Sequence, residues 1–397
     1  AVGGTTSTII NLFIGVFVGL SSGFSVIVSQ HYGAKNDRLV SICVHTSIAF
    51  SLIVGIIVSI LGIIFSKTML ANMNIPDDMM SMALPYLQIY FLGLAPNLIY
   101  NMGAGILRAV GDSKTPLIFL VISCFVNIVL DIILIRYMNM GVTGAAIATV
   151  TSQIISAVLV IIVLYHRNDA LKLRLKSLQI NFSELRKMIS IGTAAGMQSA
   201  MYTIANILIQ ASINSLGTDT IAAFTAYGKI DTLFWMTIQS LGISVTTFTG
   251  QNFGYGNKER VKKGIIYGMI LSVVVTGIVM IMLKLFGRSI YTLFTNDENV
   301  LKIGTDMLNF MVVAFPAYII IEIFSGSLRG IGDSWIPMIM TAGGVCVLRI
   351  VWIIVMVPKF PNFYTILWAY PLSWIITSTL FLIYMFGFSK MKLWLKS

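Results

Sequence analysis

The sequence predicts an all-α integral membrane protein of two pseudo-symmetric six-helix lobes, with eleven of the twelve transmembrane helices present in the 397 residues. Three observations predict it. Hydrophobic residues make up 57% of the chain and charged residues 10%, where a soluble domain carries about 25% charged, so no water-facing surface could cover this apolar mass. Eleven apolar stretches each reach the roughly 20 residues that a helix needs to cross about 30 Å of hydrocarbon. Two motifs recur at a single offset of 221 residues, as they would after duplication of a module.

In order, the spans run approximately 5–30, 41–65, 84–105, 116–136, 141–165, 189–213, 221–250, 264–286, 304–327, 337–357 and 364–387. The period-2 alternation of an outer-membrane barrel is absent, and only helices or closed barrels satisfy their backbone hydrogen bonds in lipid. Residues 1–165 form the N-terminal lobe with five helices, and 189–397 form the C-terminal lobe with six. The polar interval 166–188 links them, its basic side chains suited to anionic headgroups. Subtracting the repeat offset from 189–213 places its counterpart before Ala1, so a further helix is expected ahead of the first residue.

The repeats have a stereochemical reading. Gln30, Gly33, Asn36 and Val40 recur as Gln251, Gly254, Asn257 and Val261. Leu107, Arg108, Gly111, Asp112, Ser113 and Pro116 recur as Leu328, Arg329, Gly332, Asp333, Ser334 and Pro337. Gly111 and Gly332 are expected to end a helix, Asp and Ser to bridge the turn, and Pro116 and Pro337 to sit in the next first turn.

The net charge of +11 could suggest a polyanion partner, but its placement points elsewhere. With 166–188 on the cytoplasmic side, 18 of the 26 Lys and Arg fall on inside loops or the C-terminal tail and six outside. That asymmetry is the positive-inside signal, so no nucleic-acid partner is implied. Cys43, Cys124 and Cys346 lie in apolar segments without CxxC spacing and read as packing residues. No Walker loop, HExxH or paired catalytic acids appear, so the chain is not read as an enzyme, and transport would draw on an ion gradient.

An ionisable group within a span is unfavourable by about 2.5–3.5 kcal/mol, which makes each one a candidate. Asp131 lies deep in its span with Asn127 one turn earlier on the same face. Their oxygens suit a proton or a Na+ ion, or else a structural hydrogen bond between helices. Thr149 and Gln153, also four apart, could complete the pocket from the next helix. Glu322 and Arg349 are expected to pair with each other, as a structural lock, a gate or a route for protons. Lys229 and Asp231 are placed near the start of their span, close to the membrane interface. Gln198, Tyr202, Asn206 and Gln210 recur every four residues, a slowly winding polar stripe that must face protein or water. With Trp235, Phe234, Met197, Met201 and Met236 nearby, they suggest an adaptable cavity for flat or cationic molecules.

The Gln-x-x-Gly-x-x-Asn-x-x-x-Val loops resemble those of the multidrug and toxic compound extrusion (MATE) family, in its bacterial small-drug exporter branch. So do the Leu-Arg-x-x-Gly-Asp-Ser-x-x-Pro hairpins and Asn127-x-x-x-Asp131 followed by Gly144-Ala-Ala-x-Ala-Thr149. The likeness covers essentially the whole chain and implies a MATE-like fold of two inverted-V lobes. It implies secondary active antiport: export of small organic cations in exchange for Na+ or H+, without a cofactor, by a monomer in the plasma or inner membrane. It assigns Asn127, Asp131 and Thr149 to the cation-coupling cluster. The aspartate that the family carries on its first helix is absent, and Gln198 stands where some members have a glutamate, which directs coupling to the first lobe. A flippase for lipid-linked oligosaccharides, built on the wider superfamily's architecture, is the alternative.

Overall fold

The computed structural model describes residues 2–72 and 77–396, and among them every regular element is helical. Two compact units divide the chain, Ala1–Gly196 and Met197–Ser397.

The first unit contains α1 (Val2–Gly33), α2 (Asp37–Ala71), α3 (Asp77–Leu92), α4 (Leu94–Ala109), α5 (Lys114–Asp131), α6 (Gly141–His166) and the opening turns of α7 (Phe182–Asn214). The expected single span 84–105 is instead the pair α3 and α4, bent by 40° at Gly93. Directly after Asp131 the backbone widens into a π-helical turn, Ile132–Tyr137. The fully buried Phe24, Leu87, Phe91, Leu98 and Val160 centre its core.

The boundary between the units falls inside α7 and not in 166–188. Gly19 and Gly23 on α1 lie against Gly196 and Gly192 on α7, and a Cβ on either α1 glycine would overlap the α7 backbone. Glycines four apart on both helices let the backbones touch, a contact that larger side chains would hold open. The interval 166–188 is also more firmly seated than a headgroup-facing linker. Leu171 and Leu173 are buried, the Arg174 amide donates to His45 Nε2 at 3.1 Å, and the Asn181 amide donates to Thr46 Oγ1 at 3.1 Å.

The second unit continues α7 and adds α8 (Thr218–Gly254), α9 (Lys258–Tyr291), α10 (Glu298–Gly330), α11 (Trp335–Thr341), α12 (Leu348–Met356), α13 (Phe363–Gly387) and α14 (Lys390–Lys396). A second π-helical turn, Ala342–Val347, joins α11 to α12. It does not stand at the repeat position of the first, so the units differ locally. Phe234, Phe315, Trp374 and Phe381 are fully buried at its centre.

The repeated motifs build equivalent turns. Asn36 Oδ1 accepts the Leu39 amide at 3.1 Å, and Asn257 Oδ1 accepts the Arg260 amide at 2.9 Å, so both asparagines cap the helix that follows. Gly111 (φ 92°) and Gly332 (φ 88°) take the left-handed conformation that favours glycine. The next amides, of Asp112 and Asp333, return to the Leu107 and Leu328 carbonyls at 3.0 and 2.9 Å, the Schellman closure of a helix end.

Among the described residues eight helical spans are long and apolar enough to cross a membrane, nine with the bent α3–α4 pair. The eleven expected spans all have helices, but α7 and α8, at 33 and 37 residues, reach the length without the apolarity, because polar residues recur along both. Elsewhere the apolar surface faces outward. On α5, Leu117, Val121 and Phe125 are exposed, as are Ile270, Val274, Ile281 and Leu285 on α9, an arrangement that lipid stabilises and water would not. Cys124 belongs to this outer face and is not a packing residue like buried Cys43 and Cys346.

Candidate functional site

In the first unit the candidate residues come from two packed helices. Asn127 and Asp131 lie one turn apart on α5, and Thr149 and Gln153 one turn apart on α6, which packs on α5, α3 and α4. Asn127 Nδ2, Asp131 Oδ1 and Gln153 Oε1 are all shielded from solvent without a hydrogen-bond partner. Folded proteins pair more than nine in ten such groups, which makes the acceptors Asp131 Oδ1 and Gln153 Oε1 candidates for a ligand, with Asn127 Nδ2 a donor beside them. Thr149 donates its hydroxyl to the Ala145 carbonyl at 2.9 Å, which leaves the oxygen's lone pairs available.

Neighbouring elements aim these groups. The bend at Gly93 brings a residue without a side chain against Gln153, and a Cβ there would occupy the position of Oε1. Tyr90 on α3 lies beside Gln153, and Tyr86, one turn earlier, lies within electrostatic reach of Asp131. The π-helical turn begins at the residue after Asp131, and such widenings are frequent at functional sites. Sequence reasoning missed Tyr86, Tyr90 and Gly93, although Tyr-x-x-x-Tyr preceding a Pro- and Gly-containing break is a readable pattern.

The second unit does not build the expected Glu322 and Arg349 pair. Glu322 Oε1 faces Arg329 on its own helix, at 3.7 Å from Nη2, and its other oxygen accepts the Tyr318 hydroxyl at 3.4 Å. Residues seven apart occupy one helical face, and the fold buries that face of α10 at Glu322 and half-buries it at Arg329. Arg349 instead covers the ring of Tyr370, 4.1 Å from its centroid, and donates to Ser373 Oγ at 3.4 Å. The ring's negative face stabilises the guanidinium where a carboxylate had been expected.

Of the α7 stripe, only Tyr202 reaches this cluster, its hydroxyl 3.1 Å from that of Tyr318. Asn206 is exposed, Gln198 half-buried, and Gln210 turns along its own helix to Asn214 at 2.8 Å. Trp235 stands edge-on to Tyr318 and Trp374, with centroids 4.7 and 6.0 Å away. Its indole donates to Asp231 Oδ2 at 2.6 Å. Asp231 therefore lies more than three turns inside α8 and not at its start. The Asp-x-x-x-Trp spacing was the available signal. Glu322, Tyr318, Tyr202, Trp235, Asp231, Trp374, Tyr370 and Arg349 thus belong to one aromatic and charged interior.

The family model described as MatE matches residues 1–133 and 194–355. The chain belongs to the MatE family. This MatE protein is 27% identical over 337 residues to the probable multidrug resistance protein YoeA of Bacillus subtilis, covering 83% of the present chain and 73% of that protein. It is 26% identical over 350 residues to the probable multidrug resistance protein NorM of Thermotoga maritima, covering 87% and 75%. A protein named FAD transporter in Shewanella oneidensis is 22% identical over 76% of this chain and 67% of its own length. Among solved structures, an outward-facing multidrug resistance MATE family transporter of the MOP superfamily superposes with a TM-score of 0.93 at 20% identity, over all of this chain and 88% of that one. A MATE crystal structure in the bent conformation gives 0.92 at 21%, over 100% and 89%. The expected family and the two-lobed, all-helical MATE fold are thereby established, and with them a multi-pass membrane protein related to multidrug transporters.

Proposed function

We propose that this MatE protein is a secondary active antiporter of the plasma or inner membrane that exports small organic cations in exchange for H+ or Na+. The observation that carries the reading is the pair of unpaired acceptor oxygens, Asp131 Oδ1 and Gln153 Oε1, beside Asn127 and Thr149. A carboxylate, a carboxamide and a hydroxyl lone pair offer the oxygen ligands that a hard monovalent cation takes, and the same carboxylate can hold a proton instead. Ion or proton uptake at Asp131 favours one of the two access states, and the organic cation favours the other, so each drives release of its rival. The aromatic interior of the second unit, with Trp235, Tyr202 and Tyr318, suits flat cationic substrates through ring-face attraction. The protein works as a monomer and needs no cofactor or nucleic acid.

A lipid-linked oligosaccharide flippase would need free cations for a pyrophosphate. Arg349 is engaged by Tyr370 and Ser373, and Arg329 by Glu322, so the antiporter reading is favoured.

Proteoliposomes loaded with ethidium and given a Na+ gradient or a pH gradient separately test the proposal and identify the ion. The parent protein is expected to move dye under one gradient, and Asp131→Asn to lose at least tenfold of that rate while remaining monodisperse. Transport by Asp131→Asn at the parent rate would overturn the assignment, and lack of gradient-driven dye movement by the parent would overturn antiport itself.

A further inference from the structure

A second cluster lies where α1 closes and α2 and α7 open. His31 occupies the last turn of α1, Cys43 the second turn of α2, and Glu184 the first turn of α7. His31 Nε2 is 2.8 Å from Glu184 Oε2, and Cys43 Sγ is 4.0 Å from the same oxygen. One ligand atom from each of the three lies within 4.8 Å of the others. Cys43 is fully buried and Glu184 nearly so, whereas the His31 side chain keeps 18% exposure and gives an approach from solvent.

We propose that His31, Cys43 and Glu184 form a site for a divalent metal ion of the zinc type. One imidazole nitrogen, one sulfur and one carboxylate oxygen make a borderline donor set, which suits Zn2+ or Co2+ and disfavours Na+, Mg2+ and Ca2+. Bonds of about 2.0–2.3 Å in a tetrahedron set donor atoms roughly 3.3–3.8 Å apart. The His31–Glu184 pair is closer than this, the Cys43–Glu184 pair slightly wider and the His31–Cys43 pair within 4.8 Å, so side-chain rotation brings the three donors onto an ion. Lys187 Nζ holds the other carboxylate oxygen, Oε1, at 2.7 Å, and so aims Oε2 at the cluster while offsetting one of two negative charges. On binding, the Cys43 S–H bond gives way to a sulfur–metal bond, and its proton leaves to solvent. The fourth position stays open to water.

Three helices from distant parts of the sequence would then share one ion, a brace fastening α7 to α1 and α2. The site shares no residue with the Asp131 pocket, so either assignment can fail without the other.

Titration of the purified, tag-free protein with Co2+ tests the proposal. The expected result is one equivalent of Co2+ bound, with a sulfur-to-cobalt charge-transfer band in the near ultraviolet that Zn2+ abolishes. Cys43→Ser is expected to remove that band, and His31→Ala to weaken binding by tenfold or more. Absence of the band from the parent protein would overturn the site. Its persistence in Cys43→Ser would do the same, since Cys124 or Cys346 would then be its source.

Discussion

Gly93 and Gln153 fit one another: the glycine lacks the Cβ that Gln153 Oε1 displaces, at the point where α3 and α4 bend by 40°. The bend and the aim of the glutamine are therefore one feature. Gly93→Ala is expected to overpack this contact, a loss of about 1–3 kcal/mol, and to reduce gradient-driven transport severalfold. Truncation of the partner provides the check. In the double variant with Gln153→Ala, the stability loss of Gly93→Ala should largely vanish, a coupling of about 0.5–3 kcal/mol. Additive melting shifts would mean that the two residues do not share the space.

Buried Glu322 and half-buried Arg329 form an ion pair in the second unit. Removal of one partner leaves an uncompensated charge, whereas loss of both leaves none. Arg329→Met is accordingly expected to destabilise the protein by about 3–5 kcal/mol, and the double variant with Glu322→Gln to recover much of this. The same comparison made with Arg349→Met should show no such recovery. Thermal melting in detergent distinguishes the two pairings, and recovery with Arg349→Met would restore the pair that the sequence suggested.

The contrast between those arginines shows what the sequence made legible. Local chemistry was readable: the repeats located both Schellman turns, because Gly111 and Gly332 need no partner from elsewhere in the chain. Asp131 and Asn127 were readable too, since four-residue spacing on one helix fixes a shared face. The partners of Glu322 and Arg349 depended on how helices rotate against one another, and no periodicity encodes the ring of Tyr370 beneath a guanidinium 21 positions earlier. The partners of the α7 stripe were hidden for the same reason, because one turn of helix separates Tyr202, which meets Tyr318, from Asn206, which is exposed. The His31, Cys43 and Glu184 cluster joins positions up to 153 residues apart and carries no sequence signature.

Gly19 and Gly23 set the approach of α1 to α7. Gly23→Leu should separate these helices and sharply lower the yield of monodisperse protein and its melting temperature. Gly228 on α8 supplies the control: nothing lies within 4 Å of a Cβ built there. Gly228→Ala should leave stability unchanged or raise it by up to about 1 kcal/mol, the ordinary helix-propensity gain. Equal effects from both substitutions would show that the α1–α7 contact is not glycine-dependent.

Lys35 and Gly256 occupy the same position in the two copies of one turn, and both are left-handed, at φ 55° and 77°. An L side chain in that region is disfavoured by roughly 1–2 kcal/mol relative to its usual conformation, and glycine offsets part of this with a larger loss of chain entropy on folding. The first copy therefore carries strain that the second avoids. Lys35→Gly is expected to raise stability by up to about 1 kcal/mol, and Gly256→Lys to lower it by a similar amount. Because Asn36 and Asn257 cap the following helices alike, opposite signs in the two melting shifts isolate the backbone conformation as the cause. Equal signs would assign the effect to the lysine's own contacts.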